Sequence, residues 1–331
     1  MLGVIFLVTR FAEVQDIVDT LGMGKWYFLL ISLISLGLWL LISAKTYQLI
    51  YLELGMHQSI FNMLVLFTSA YFTNTVTPSA GFSSIAVFLT DARRKGFSSA
   101  KVTVVWAIYL LLDYFGLLAA ISLGIIVLVR RNDLNWTEIA AALVLCFLAG
   151  TLILLLYLGL KSANQLGTAL AYFARFTNRI ARIFSKKEFL DIKQTRQFAY
   201  ELADGIQIIR QNPKNLLAPI LLSLLNKAVL LLIFTLTFLM FDVPFSKGTI
   251  AAGFAICYLF TVVSPTPAGV GIVEGILPLA LTGLNVRLGA ATIITLAYRG
   301  ISFWLPLLIG LITFNIFREQ GDQNKPGYNN S

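Results

Sequence analysis

Five long apolar runs, at 26–52, 102–129, 137–160, 216–240 and 288–317, limit what this chain can become. About 20 apolar residues of helix cross a hydrocarbon core roughly 30 Å thick. Inside that core the backbone must satisfy its own polar groups, so each run reads as a helix crossing a membrane. With 58% hydrophobic and 12% charged residues and a mean hydropathy of +0.81, the composition leaves too little polar surface for a soluble fold. The expected class is an all-α polytopic membrane protein.

Two more apolar stretches, 59–90 and 249–282, are long but broken near their middles. The second break reads VVSPTPAGVGIVEG, residues 262–275, and the first reads TVTPSAGFSSIAVFLTDARRKG, residues 75–96. Proline removes a backbone donor and glycine permits a sharp reversal, so both are expected to be turns. The turn residues are Pro78 and Gly81 in the first, and Pro265, Pro267, Gly269 and Gly271 in the second.

The breaks sit in matching surroundings. Pro78 precedes Asp113 by 35 residues, and Pro265 precedes Arg299 by 34. Each broken stretch is expected to be a re-entrant hairpin. Three spans separate them, so the second opens to the opposite side and the two halves form an inverted repeat. Broken helices in such repeats meet near the midplane in transporters. The chain is read as one membrane unit, 1–331. Residues 26–129 form the first repeat, 130–215 a connecting span and basic loop, 216–317 the second repeat, and 318–331 a short polar tail.

Orientation follows from charge. Residues 161–215 carry ten basic against four acidic side chains, most of the net +9. Basic loops stay in the cytoplasm, so this loop and the shorter 91–101 are expected there, in a plasma-membrane protein. Arg175, Arg179, Arg182 and Lys186 fall on one helical stripe. They suit either an amphipathic helix on an anionic leaflet or a basic face that only fixes topology. Nucleic-acid binding is excluded by the adjoining membrane spans. The N-terminal MLGVIFLVTR reads as the end of a membrane helix or a short anchor rather than a signal peptide.

Four ionisable residues lie within apolar segments: Asp113, Lys227, Glu274 and Arg299. Each costs roughly 2.5–3.5 kcal/mol if unpaired at a helix centre, so all four are expected to be paired, hydrated or ligand-bound. Asp113 and Arg299 lie at matching depths and are expected to pair across the pseudo-twofold axis, as a lock or as a site. Lys227 has no acid on its own helix. Glu274 follows the turn, where a helix dipole favours a carboxylate, so it is either a cap or a functional group. On the functional reading, Lys227 and Arg299 attract an anionic head group and Glu274 contacts an amine or relays a proton. Cys146 and Cys257 are expected to be buried, reduced thiols, and His57 to lie at the interface. No metal site and no cofactor are expected.

With PTPAGVGIVEG at 265–275, LAYRGISFWLPLLIG at 296–310, and VTPSAG at 76–81 with Asp113, the chain resembles the flippase-like membrane domain of lysylphosphatidylglycerol synthetases, the multiple peptide resistance factor proteins, and their stand-alone relatives. The resemblance implies movement of a phospholipid or polyprenyl lipid between leaflets; a lipid-modifying enzyme is the partner expected on the alternative reading as a scaffold. It also implies a Gly-Glu pair after the first turn, yet Gly81 is followed here by Phe82, Ser83 and Ser84. Only a short tail follows the last span, so no aminoacyl-transferase activity is expected. The competing functions are a small-solute or ion transporter of the same architecture and a non-transporting scaffold.

Overall fold

The computed structural model describes residues 11–76, 83–131, 192–264 and 266–323, with scattered positions between 139 and 168. Among the described residues the elements are helical, and four helical segments are long and apolar enough to cross a membrane. The chain is an all-α polytopic membrane protein.

A short helix α1 (Phe11–Gly22) precedes α2 (Trp26–Glu53). Next come α3 (Ile60–Val76), α4 (Ser84–Lys95) and the long α5 (Ser99–Arg131). Helix α6 (Ile192–Gln211) leads into α7 (Leu217–Met240) and α8 (Lys247–Val263). Helix α9 (Ile272–Gly283) and α10 (Leu288–Arg299) follow; after a π-helical turn over Gly300–Trp304, α11 (Leu305–Gln323) completes the described chain. Most of the span expected at 137–160, the stripe Arg175, Arg179, Arg182 and Lys186, and the turn residues Pro78, Gly81 and Pro265 lie outside the described residues.

Helices α2 and α7 run antiparallel along each other. Lys25 N–H donates to the Met240 carbonyl at one end, and Asn215 reaches Glu53 at the other. Between them a buried chain of polar groups fixes the register: Trp39 Nε1 donates to Asn226 Oδ1 at 3.1 Å, and Asn226 Nδ2 donates to Ser43 Oγ at 2.8 Å. In a slipped register these polar groups would sit unpaired among apolar side chains, which costs about 1–3 kcal/mol each.

The broken stretches fold back on themselves. Gly253 of α8 lies against Leu281 of α9, while Gly269 lies against Thr261, so α8 and α9 are antiparallel and their outer ends are neighbours. The start of α3 and the end of α4 are likewise joined, through Gln58 to the buried Asp91 and Lys95 to Gln58. The α3–α4 ends lie with Glu53, Asn215 and Phe317; the α8–α9 ends lie with Lys25, Met240 and Asp242.

Each hairpin is clasped by the other half. Helix α3 packs on α11, and α8 packs on α5. Both contacts pass over a glycine, Gly310 and Gly124, each eleven residues beyond Arg299 and Asp113 respectively. A Cβ on Gly310 would lie 2.5 Å from the Thr68 carbonyl oxygen, and one on Gly124 would lie 2.8 Å from the Ala251 carbonyl oxygen. Only a residue without a side chain admits backbones this close. The matched glycines are a second repeat signal beside the prolines.

Two elements were not anticipated. Helix α6 lies within the basic loop and buries Ala203, Ile206 and Ile209, with Gly205 against Val104 of α5. Helix α1 sets Ile17 over Gly300 in the π-helical turn. One expectation fails: Cys257 is buried, but Cys146 is exposed. In a bilayer an apolar helix can turn such a side chain toward lipid rather than into the core. His57 is exposed in the α2–α3 connection, as an interfacial residue would be.

Candidate functional site

A cavity of about 520 Å³ opens between the two hairpins. The end of α3 contributes Asn74 and Thr75 to its wall, the start of α4 Ser84, and the second turn Ser264, Thr266 and Ala268. Asp113, Lys227 and Arg299 line it together, whereas Glu274 stands behind Arg299.

The second turn explains its own sequence. Ala268 (φ 49°), Gly269 (φ 74°) and Gly271 (φ 83°) all take positive φ, a region that costs an L-residue roughly 1–2 kcal/mol and glycine almost nothing. Pro267–Gly269 forms a single 3-10 turn, and α9 starts directly after Gly271. The side chain of Glu274 then returns to the turn: Oε2 accepts the Gly271 N–H at 2.8 Å. Its other oxygen, Oε1, accepts from Arg299 Nε at 2.7 Å.

Arg299 is more than a partner for one carboxylate. Its Nη2 donates to the Ala268 carbonyl at 3.1 Å, and its guanidinium lies 4.1 Å from the Phe303 ring centroid. The side chain is only 4% exposed, so almost every bond it makes is to protein. The π-helical turn begins one residue later, and the extra residue of such a turn shifts the register of the side chains after it, Phe303 among them.

The second ion pair is looser. Lys227 Nζ lies 2.6 Å from Asp113 Oδ1 and 5.5 Å from the Tyr258 ring centroid. The Lys227 side chain is 7% exposed and that of Asp113 is 30%, which makes the carboxylate the more open member. Close helix contact brings them together. A Cβ on Gly116 would lie 3.2 Å from Lys227 Cγ, and Ser223 Oγ donates to the Leu112 carbonyl.

The expected Asp113–Arg299 pair is therefore corrected: both residues face one cavity, but each takes a different partner. The acid for Lys227 comes from α5 and the acid for Arg299 from α9. Of the roles considered for Glu274 the structure shows the cap at the start of α9, and it adds a partner not anticipated, Arg299. Proximity after folding, rather than symmetry, decided the pairing.

Aromatic side chains complete the wall, and sequence reasoning gave them no role. Tyr47 stacks on Tyr109 at 3.8 Å, with Tyr71, Tyr258 and Tyr298 nearby in the same lining. The Tyr298 hydroxyl and Asn74 Oδ1 are buried with no hydrogen-bond partner among the described residues. Unsatisfied buried polar atoms cost about 1–3 kcal/mol, so their presence at a cavity wall marks a place where a ligand or water completes them. A clue was available in Tyr47 and Tyr109, which sit inside apolar runs where a hydroxyl needs a polar neighbour.

The four charges of the two ion pairs sum to zero. The cavity can offer a cation, an anion and hydroxyls to a polar group at membrane depth, since Lys227 lies ten residues, about 15 Å, into α7.

Against known families, a model described as the lysylphosphatidylglycerol synthase TM region matches residues 1–310. No protein with a curated description matches the chain.

Proposed function

Given that the chain belongs to the family of lysylphosphatidylglycerol synthase transmembrane regions, we propose that it is a lipid transporter of the flippase type. Its cavity takes the head group of an anionic or aminoacylated phospholipid, or of a polyprenyl phosphate, and passes it between leaflets. The observation that carries this reading is the polar cavity between two antiparallel hairpins, lined by Asp113, Lys227 and Arg299.

The hairpins are read as re-entrant. Helices α4 and α9 have 12 residues each, about 18 Å of helix, which is too short for a core of roughly 30 Å. Their outer ends lie at opposite ends of the bundle, which supports an inverted repeat with the tips meeting at the cavity. The positive-inside rule puts 91–101 and 161–215 in the cytoplasm of a plasma-membrane protein. This reading assigns no chemical step to the chain, and a lipid-modifying enzyme would supply or consume the lipid.

Leaflet exchange of a fluorescent anionic lipid in proteoliposomes tests the proposal. Exchange above the protein-free background is expected, with loss on Lys227→Gln. A protein that inserts correctly but exchanges no lipid would instead be a scaffold; uptake of a water-soluble solute without lipid exchange would indicate a solute transporter.

A further inference from the structure

On the lipid-transport reading, a charged head group enters a cavity whose own charges already cancel. The two ion pairs, Asp113–Lys227 and Glu274–Arg299, are each internally neutral. A head group with one negative charge would leave the cavity with an uncompensated charge at membrane depth, which is strongly disfavoured. It would also meet Lys227 beside the Asp113 carboxylate, a like charge at close range. Such an arrangement favours protonation of one of the two anions.

The geometry points to Asp113 as the proton acceptor. Both oxygens of Glu274 are engaged, one by Arg299 and one by the Gly271 N–H, and the residue stands behind the cavity wall. Asp113 lines the cavity, uses Oδ1 for Lys227, and has no hydrogen bond at Oδ2 among the described residues. The ionisable groups facing it are Lys227 of α7, Tyr258 of α8, Tyr47 of α2, and Tyr109 and Tyr114 of its own helix, with Arg299 of α10 in the same cavity. Helices α4 and α6 also pack on α5. The α4 charges near this contact, Asp91, Arg93, Arg94 and Lys95, cluster close to residue 99, and Glu201 of α6 lies beside Ser98.

We propose that each anionic head group entering the cavity brings one proton onto Asp113, making lipid movement proton-coupled. The proton binds a carboxylate oxygen, the Asp113–Lys227 ion pair opens, and the Lys227 ammonium turns to the phosphate. The new carboxylic acid donates a hydrogen bond to the same phosphate. The site is neutral before and after, and no bond other than O–H forms or breaks. This inference rests on the lipid-binding reading above.

The test uses purified full-length protein in detergent, with short-chain phosphatidylglycerol as the anionic probe and short-chain phosphatidylcholine as the net-neutral control. Calorimetry in two buffers of different ionisation enthalpy counts protons. Phosphatidylglycerol is expected to take up close to one proton, with affinity falling by up to about tenfold for each pH unit over which that uptake persists. Phosphatidylcholine should take up none. Asp113→Asn should bind phosphatidylglycerol without proton uptake and with a flat pH profile, whereas Asp113→Glu keeps the uptake. Wild-type binding of phosphatidylglycerol without uptake, equal uptake with phosphatidylcholine, or unchanged uptake in Asp113→Asn would overturn the coupling and leave the transport reading standing. If Asp113→Asn does not fold, the wild-type proton count and Asp113→Glu still decide. Absence of binding by either lipid at any pH would overturn both.

Discussion

The Glu274–Arg299 pair and the Asp113–Lys227 pair use the same chemistry, a carboxylate against a cation within an apolar bundle, but differ in what else depends on them. Arg299 holds Glu274, the Ala268 carbonyl and the Phe303 ring, while Glu274 also receives the Gly271 N–H. The second turn, with three residues at positive φ, is tied together through these two side chains. Lys227 and Asp113 have one ion pair between them and an open cavity beside it. The difference teaches that charge at membrane depth has two uses in this molecule. One pair ties a turn together, and the other borders a cavity.

Breaking the pair that ties the turn should have the largest effect. Arg299→Leu leaves Glu274 without its cation and the Ala268 carbonyl without its donor, and removing one partner of a buried pair typically costs about 3–5 kcal/mol. Thermal unfolding in detergent should show a large fall in Tm. A fall no greater than that of a lipid-facing control such as Leu232→Ala would remove the structural role assigned to this pair.

The matched glycines give an intermediate effect that compares the halves. Gly310→Ala and Gly124→Ala both push a hairpin off the opposing span, and overpacking of this kind costs about 1–3 kcal/mol. Similar losses are expected from the two, since the contacts correspond. A loss in one variant with none in the other would break the equivalence of the hairpins.

Asp113→Asn should be the mildest. Water entering the cavity can solvate the Lys227 ammonium, so the loss in unfolding free energy should stay below that of Arg299→Leu, at about 1–2 kcal/mol. If Asp113→Asn proves as destabilising as Arg299→Leu, the two pairs are alike and the contrast between them is wrong.

Much of this was legible along the chain. The spans at 26–52, 102–129, 216–240 and 288–317 correspond to described helices within a few residues, because continuous apolarity over 20 or more residues has few other solutions in lipid. The second break was legible because proline and glycine act locally, while the turn residues of the first lie outside the described residues. The family resemblance was carried by the same residues, and the match over 1–310 agrees with it. Helix α6 was harder to see, since the net charge of its loop masks the spacing of Ala203, Ile206 and Ile209.

Sequence alone determined what is local or additive: the membrane-spanning class, the position of the second turn, and the presence of four charges that cannot remain unpaired. The choice of partners belonged to the tertiary structure. An ion pair is decided by distances of a few ångströms between helices, here across 114 residues of chain in one pair and 25 in the other, and helix packing set those distances. Gly116 let Lys227 reach Asp113, while the α9–α10 connection brought Glu274 to Arg299. The cavity and its unsatisfied Tyr298 and Asn74 atoms arose in the same way, as the space left where two hairpins meet without filling the gap between them.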